Sequence, residues 1–232
     1  MRKVLITGVS SGLGAALAEA CMQRGDDVYA LGREDNKTLQ NKPGYYFLPV
    51  DLSEVEMIAE NIKAFVDKHR FDLLILNAGI ISQIKTLDET GLYELREIMD
   101  LNVWANKEVI DTVDRHADVR QIVAVSSGAA VNGHKGWGGY AISKAALNNM
   151  IKIYAEEKPW IHFSAIAPGV VMTPMLKRIL ESTDASEFPS VQRLRDGTIL
   201  PPEQAAERFL HACDAAKEHP SGSFLDVRNL EL

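Results

Sequence analysis

Cysteine is nearly absent: Cys21 and Cys213 are the only two in 232 residues, far apart and each in a helix-like context. The pair supports neither a disulfide framework nor a zinc spacing, and it suits a reducing cytoplasm. The six histidines, His69, His116, His134, His162, His211 and His219, meet no second His, Cys or carboxylate at a ligand spacing, so no metal site is expected. Long hydrophobic runs are missing too. No apolar stretch reaches the ~18 residues a membrane span needs. The apolar start after Arg2 and Lys3 has the look of a signal peptide but is broken at Gly8, Gly12 and Gly14. Nor is charge gathered into blocks of one sign. A formal net charge of -7, with acids and bases interspersed, argues against nucleic acid or an anionic membrane as the main partner. Internal repeats, low-complexity tracts and long flexible linkers are lacking as well.

What is present is apolar patterning. Hydrophobic residues make up 46% of the chain, enough for one sizeable core, so residues 1–232 read as a single domain. Runs rich in Val, Ile, Leu, Phe and Tyr recur at 3–7, 27–31, 45–50, 71–76, 121–126, 161–167 and 223–227, each of strand length. Helical patterns lie between them. In 53–69, Val55, Ile58, Ala59, Ile62, Phe65 and Val66 repeat at three and four, and Ser53 with Glu56 makes a capping box. Nearly continuous apolar strands alternating with amphipathic helices predict an α/β fold: a doubly wound, Rossmann-type parallel sheet of seven strands with helices on both faces. The segment 174–202 reads as one long irregular stretch, the length at which a loop in a compact domain serves as a lid.

The first run leads straight into Thr7-Gly8-Val9-Ser10-Ser11-Gly12-Leu13-Gly14 and then a helical stretch. Glycines there allow a tight turn and close backbone approach, so that helix-terminal N–H groups can meet a pyrophosphate. The spacing is G-x3-G-x-G, and its place after the first strand is what lifts it above a plain strand-to-helix turn. At the end of the second run, where an acid would hold the adenosine ribose 2'-hydroxyl, Gly32 is followed by Arg33. A guanidinium there suits the 2'-phosphate of NADP(H). Glu34 and Asp35 follow, and Glu34 turned inward would select NAD instead. Asp51, with Leu52 beside it at the end of the third run, can accept from the adenine amino group or flank the helix that Ser53 caps.

A second cluster begins with Ser126-Ser127, and thirteen residues beyond Ser127 stands Tyr140 in Tyr140-Ala141-Ile142-Ser143-Lys144. On a helix, Tyr140 and Lys144 share a face. A phenol with its ordinary pKa near 10 is a poor proton donor, and a lysine ammonium together with an oxidised nicotinamide ring is expected to lower that value. Tyr140 then works as general acid and base. Ser127 can donate to a substrate oxygen on which negative charge develops.

These residues together resemble the short-chain dehydrogenase/reductase family, over a stretch running from the first strand nearly to the last. Thr7-Gly8-x3-Gly12-x-Gly14 resembles its cofactor motif, and Asn77-Ala78-Gly79 its motif after the fourth strand. Ser127, Tyr140 and Lys144 correspond to its catalytic residues in identity and spacing. The resemblance implies that Asn102, in Leu101-Asn102-Val103, is a fourth catalytic member whose helix holds a water linking Lys144 to solvent. It further implies that in Pro168-Gly169-Val170-Val171-Met172-Thr173 the Val171 backbone and the Thr173 hydroxyl hold the nicotinamide carboxamide. The residues themselves mark Asn102 only as a polar position in a helix, and the Pro168 segment only as a turn after a strand.

The end of the chain, Ser221-Gly222-Ser223-Phe224-Leu225-Asp226-Val227-Arg228, lacks the Gly-Gly pair common in the family and is closer to sepiapterin reductase and related diketone reductases. That departure weighs against tetramer contacts and favours a homodimer built on the helices of Asn102 and Tyr140. Asp226 stands where, by that resemblance, a carboxylate anchors a pterin; equally it can be ion-paired in the last strand. Trp137, between Ser127 and Tyr140, and Met175 are candidate substrate walls, with Met172, Leu176 and Phe188 also available, while His134 reads as a solvated loop residue. Two functions remain in view: an NADPH-dependent reductase of a small ketone, diketone or pterin-like carbonyl compound, or a catalytically silent nucleotide sensor of the same fold. The second predicts damage to the catalytic set, and the sequence shows none.

Overall fold

The computed structural model describes residues 1–230. The chain runs β1 (Lys3–Thr7), α1 (Gly12–Gln23), β2 (Asp27–Gly32), β3 (Tyr45–Pro49), α2 (Ile58–Val66), β4 (Arg70–Phe71) and β5 (Leu73–Leu76). It continues with α3 (Leu92–Met99), a π-helical turn (Asp100–Trp104), α4 (Ala105–His116), β6 (Asp118–Val119), β7 (Gln121–Val125), α5 (Gly138–Glu157) and β8 (His162–Ala167). Last come α6 (Pro174–Ser182), α7 (Pro189–Asp196), α8 (Pro202–Ala215) and β9 (Ser223–Asp226).

Seven strands form one sheet in the order β3-β2-β1-β5-β7-β8-β9, every pairing parallel. Each inner strand buries both faces, which is why its apolar run is nearly continuous. Val4 and Ile6 of β1, with Val123 and Val125 of β7, pack against Leu17 of α1 and Phe209 of α8. Leu5, Ile122 and Ala124 face the opposite core, where Ile62 of α2, Val109 of α4 and Ile151 of α5 lie. Because β1 is flanked by β2 and β5, successive connections leave it in opposite directions. The crevice so created opens at the carboxyl ends of β1 and β5, the usual ligand position in such sheets.

Two local expectations are corrected. The second helix does not start at a Ser53–Glu56 capping box. Ser53 gives both its N–H (2.9 Å) and its hydroxyl (2.7 Å) to Asp51 Oδ1, so a 3-10 turn at Val55–Met57 intervenes before α2. Segment 174–202 is largely helical rather than irregular. Thr173 accepts from Leu176 N–H and Pro174 occupies the first turn of α6, while Pro189 starts α7. Helices of nine and eight residues are too short for periodicity to declare itself. They are held down by a separate apolar cluster of Ile84, Ile179, Phe188 and Val191.

Candidate active site

The Gly-rich turn is shaped by the neighbouring loop. Thr7, fully buried, accepts through Oγ1 from the N–H groups of Asn77 and Ala78, both at 3.0 Å. Asn77 Nδ2 donates back to Thr7 O (3.0 Å) and Gly8 O (2.9 Å). Gly8 (φ +74°) and Gly12 (φ +56°) occupy the left-handed region, which favours glycine. A Cβ on Gly14 would overlap Gly8 O and the Asn77 side chain. Ser11 precedes α1 without capping it through its side chain, so the first-turn N–H groups remain free for an anion.

From this turn a cavity of about 1040 Å³ extends to α5 and the α6–α7 segment. Every cofactor residue expected from the sequence borders it: Gly8, Ser10, Ser11, Gly12, Leu13, Gly14, Arg33, Asp51, Leu52, Asn77, Ala78, Gly79, Pro168, Gly169, Val171 and Thr173, with Tyr140 and Lys144. At the far end Arg33 and Glu34 are both exposed, and the Arg33 guanidinium makes no ion pair among the described residues. Asp35 is removed from the choice, because its carboxylate accepts from the Tyr45 hydroxyl and the Asn36 N–H, each at 2.7 Å. The Ser53 hydrogen bonds hold the Asp51 carboxyl below its ordinary range, and its second oxygen makes no protein hydrogen bond.

At the other end α5 carries Tyr140 and Lys144 into the cavity. A Cβ on Gly139 would press into Leu95 and Ile98, so the first turn of α5 packs hard against α3. Lys144 is buried, and Nζ donates to Val125 O at 2.7 Å and lies 5.8 Å from the centre of the Tyr140 ring. Burial brings its ammonium down to about 8. Burial also pushes the Tyr140 phenol up, with the Ser127 hydroxyl acting in the opposite sense. In the protein alone burial is the larger influence on the phenol, and the lowering expected from the sequence also calls on an oxidised nicotinamide ring. Ser127 Oγ accepts from Ala129 N–H at 3.1 Å, which leaves its O–H to donate.

Asn102 is fully buried in the π-helical turn and does not border the cavity. Its side chain accepts from Ile80 N–H (2.8 Å) and donates to Ile80 O and Ser143 Oγ (both 2.9 Å), placing it behind the cavity floor. The substrate end is walled by Ile81, Trp137, Met175, Leu176, Ile179 and Leu194. Trp137 meets the Tyr140 ring edge-on at 6.2 Å and donates through Nε1 to Ser190 Oγ on α7 at 2.9 Å. Met172 and Phe188 are not wall residues: Met172 faces solvent and Phe188 is buried in the cluster under α7. His134 is exposed, 3.4 Å from Arg193.

Asp226 does not border the cavity either. Its carboxylate accepts from Arg228 N–H (3.0 Å), Nε (2.9 Å) and Nη2 (2.6 Å), so the ion-paired alternative is the observed one. Tyr93, Arg96, Glu97 and Asp100 line the cavity and were not anticipated; only the placing of α3 and the π-helical turn beside it brings them there. Among the described residues no group of three His, Cys, Asp or Glu side chains is gathered for a metal ion, and no helix is long and apolar enough to cross a membrane.

A strand-end glycine cradle joined to a Ser-Tyr-Lys set defines a dinucleotide-dependent oxidoreductase site. Residues 2–184 match the short chain dehydrogenase family, and the chain belongs to it. It is 28% identical to a benzil reductase ((S)-benzoin forming) of Bacillus subtilis, over 98% of this chain and 99% of that protein. A short chain dehydrogenase/reductase from Saccharomyces cerevisiae superposes with a TM-score of 0.85 at 23% identity, covering 99% of this chain and 97% of that one. A Beutenbergia cavernae protein solved with NADP bound at low occupancy gives 0.82 at 26% identity, over 97% and 94%.

Proposed function

We propose that the protein is an NADPH-dependent carbonyl reductase acting on a compact, uncharged, apolar ketone or diketone. The observation that carries this reading is the placement of Ser127, Tyr140 and Lys144 at the apolar end of a cavity whose other end presents the unpaired Arg33.

The crevice suits a dinucleotide: the absence of a side chain at Gly14 lets α1 start hard against the Gly8 turn, and no side chain caps the N-terminus of α1. Arg33 would take the 2'-phosphate, Asp51 the adenine amino group, and the Val171 backbone with the Thr173 hydroxyl the carboxamide. Thr173 Oγ1 already accepts from Leu176 N–H at 3.2 Å, leaving its hydrogen to donate. When bound, the dinucleotide supplies the hydride. Ser127 donates to the carbonyl oxygen as charge develops there, and Tyr140 delivers the proton to that same oxygen. The burial that raises the phenol keeps it protonated until needed, and Lys144 places a positive charge beside the phenolate left behind. The wall formed by Ile81, Trp137, Met175, Leu176, Ile179 and Leu194 is itself apolar apart from the Trp137 indole N–H, which favours an apolar substrate face against it. The benzil reductase relatives act on such a diketone by name.

Assembly as a homodimer through the π-helical turn, α4 and α5 fits the exposure of Trp104, Ile142 and Ile153 there, with a tetramer as the larger option. A cytoplasmic setting suits the two buried free thiols. The test is turnover of benzil, a pterin side-chain ketone and a 2-keto acid with NADPH and with NADH. Benzil with NADPH should be preferred, and reduction of the keto acid alone would sink the reading.

A further inference from the structure

Ser143 sits on α5 immediately before Lys144, fully buried and outside the cavity lining. Its hydroxyl donates to Tyr140 O at 2.8 Å and accepts from Asn102 Nδ2 at 2.9 Å. A hydroxyl has one hydrogen. Committed to Tyr140 O, it can only accept from Asn102, and it takes one of the two Nδ2 hydrogens. The Asn102 oxygen is then turned to Ile80 N–H, and the remaining Nδ2 hydrogen to Ile80 O. Both backbone groups of Ile80 are thus gripped by one amide, which Ser143 ties to α5. The grip lies at the active centre: a Cβ on Gly79 would stand 3.0 Å from Asn102 Oδ1 and 3.6 Å from Lys144 Nζ.

We infer, resting on the reductase reading above, that Ser143 is a positioning residue: it locks the turn of α5 that carries Tyr140 and Lys144 to the Gly79-Ile80 floor of the dinucleotide crevice, acting through Asn102. Ser143→Ala leaves an Asn102 N–H without its acceptor in a site closed to water, and the amide loses its tie to α5.

Hydrogen exchange reads the lock without any turnover. In Ser143→Ala the Ile80 amide should exchange about tenfold faster, the scale of one lost buried hydrogen bond, while strands β7 and β8 keep their protection. Steady-state kinetics on the same protein should show kcat down about tenfold with the ketone KM within twofold. The double variant with Asn102→Ala should be no slower than Asn102→Ala alone, since the two residues act in series. Unchanged Ile80 exchange, or losses that add in the double variant, overturns the inference. If Ser143→Ala does not fold, Ser143→Thr decides: retention of Ile80 protection and of at least a third of kcat supports the hydroxyl's role, and a loss as large as that of Asn102→Ala refutes it. Absence of wild-type ketone turnover would instead strike the reductase reading, leaving the exchange result to judge Ser143.

Discussion

Replacing Lys144 by methionine is expected to stabilise the folded protein at neutral pH while removing its activity. The ammonium is buried with one protein acceptor, Val125 O, and no carboxylate beside it, and burial alone brings it from the ordinary 10.5 to about 8. The folded chain therefore releases this proton near pH 8, whereas the unfolded chain holds it to about pH 10.5. Between those values the unfolded state binds the extra proton and stability rises with pH; below pH 8 both states are charged and the penalty is fully present. The gap corresponds to about 3 kcal/mol. Methionine matches the length of the lysine stem and carries no charge, but it abandons the Val125 carbonyl at a cost of about 1 kcal/mol. The variant should then be more stable by about 2 kcal/mol at pH near 6.5, with the advantage shrinking to about zero by pH near 9.5. Urea unfolding of both proteins, without added dinucleotide, measures the difference. A wild type more stable than the variant at the lower pH, or a difference that does not move with pH, would refute the claim that an uncompensated charge is held here.

Three further outcomes are expected. Tyr140→Phe should lose at least about 10²-fold in kcat while fluorescence titration shows NADPH binding nearly unchanged; retention of more than about a tenth of turnover would remove Tyr140 from the role of proton donor. Arg33→Ala should weaken NADPH by about 1.5–3 kcal/mol and NADH hardly at all, whereas equal losses for both would assign the cofactor choice elsewhere. Asp226→Ala should alter the kinetics of a pterin ketone and of an aromatic diketone alike, because Asp226 is engaged with Arg228; a loss confined to the pterin would restore the anchoring role.

The sheet was legible because strands buried on both faces must be apolar throughout, and that signal needs no partner to be known. Tyr140 and Lys144 were legible for a related reason, because the i,i+4 relation is local to one helix, and Ser127 from its place just after a strand-like run. Elsewhere the deciding partners are remote or compete. Ser53 looks like a cap until Asp51 takes its hydroxyl. Asn102 looks like any polar helical residue, since Ile80 and Ser143, which give it meaning, lie 22 and 41 residues away, and only family resemblance pointed to it. The upward push that burial gives the Tyr140 phenol was not legible, because charge proximity can be guessed from spacing whereas desolvation depends on tertiary packing.

Trp137 joins two properties that a sequence lists separately. Its ring is a wall beside Tyr140, and its indole N–H ties the loop before α5 to Ser190 on α7, so the side chain proposed as a substrate wall also fixes where the α6–α7 segment rests. An apolar wall discriminates weakly, since one methylene more or less changes binding by only about 1–3 kcal/mol. On the reductase reading, compact ketones of similar girth should therefore compete with one another, and selection must come from orientation. Ser127 and Tyr140 supply the two donors that fix the carbonyl oxygen, while the apolar wall adds little directional preference of its own. A diketone offers either of two oxygens to that single pair of donors, and the bulk flanking each carbonyl against Trp137 and Leu194 then decides which one faces the dinucleotide.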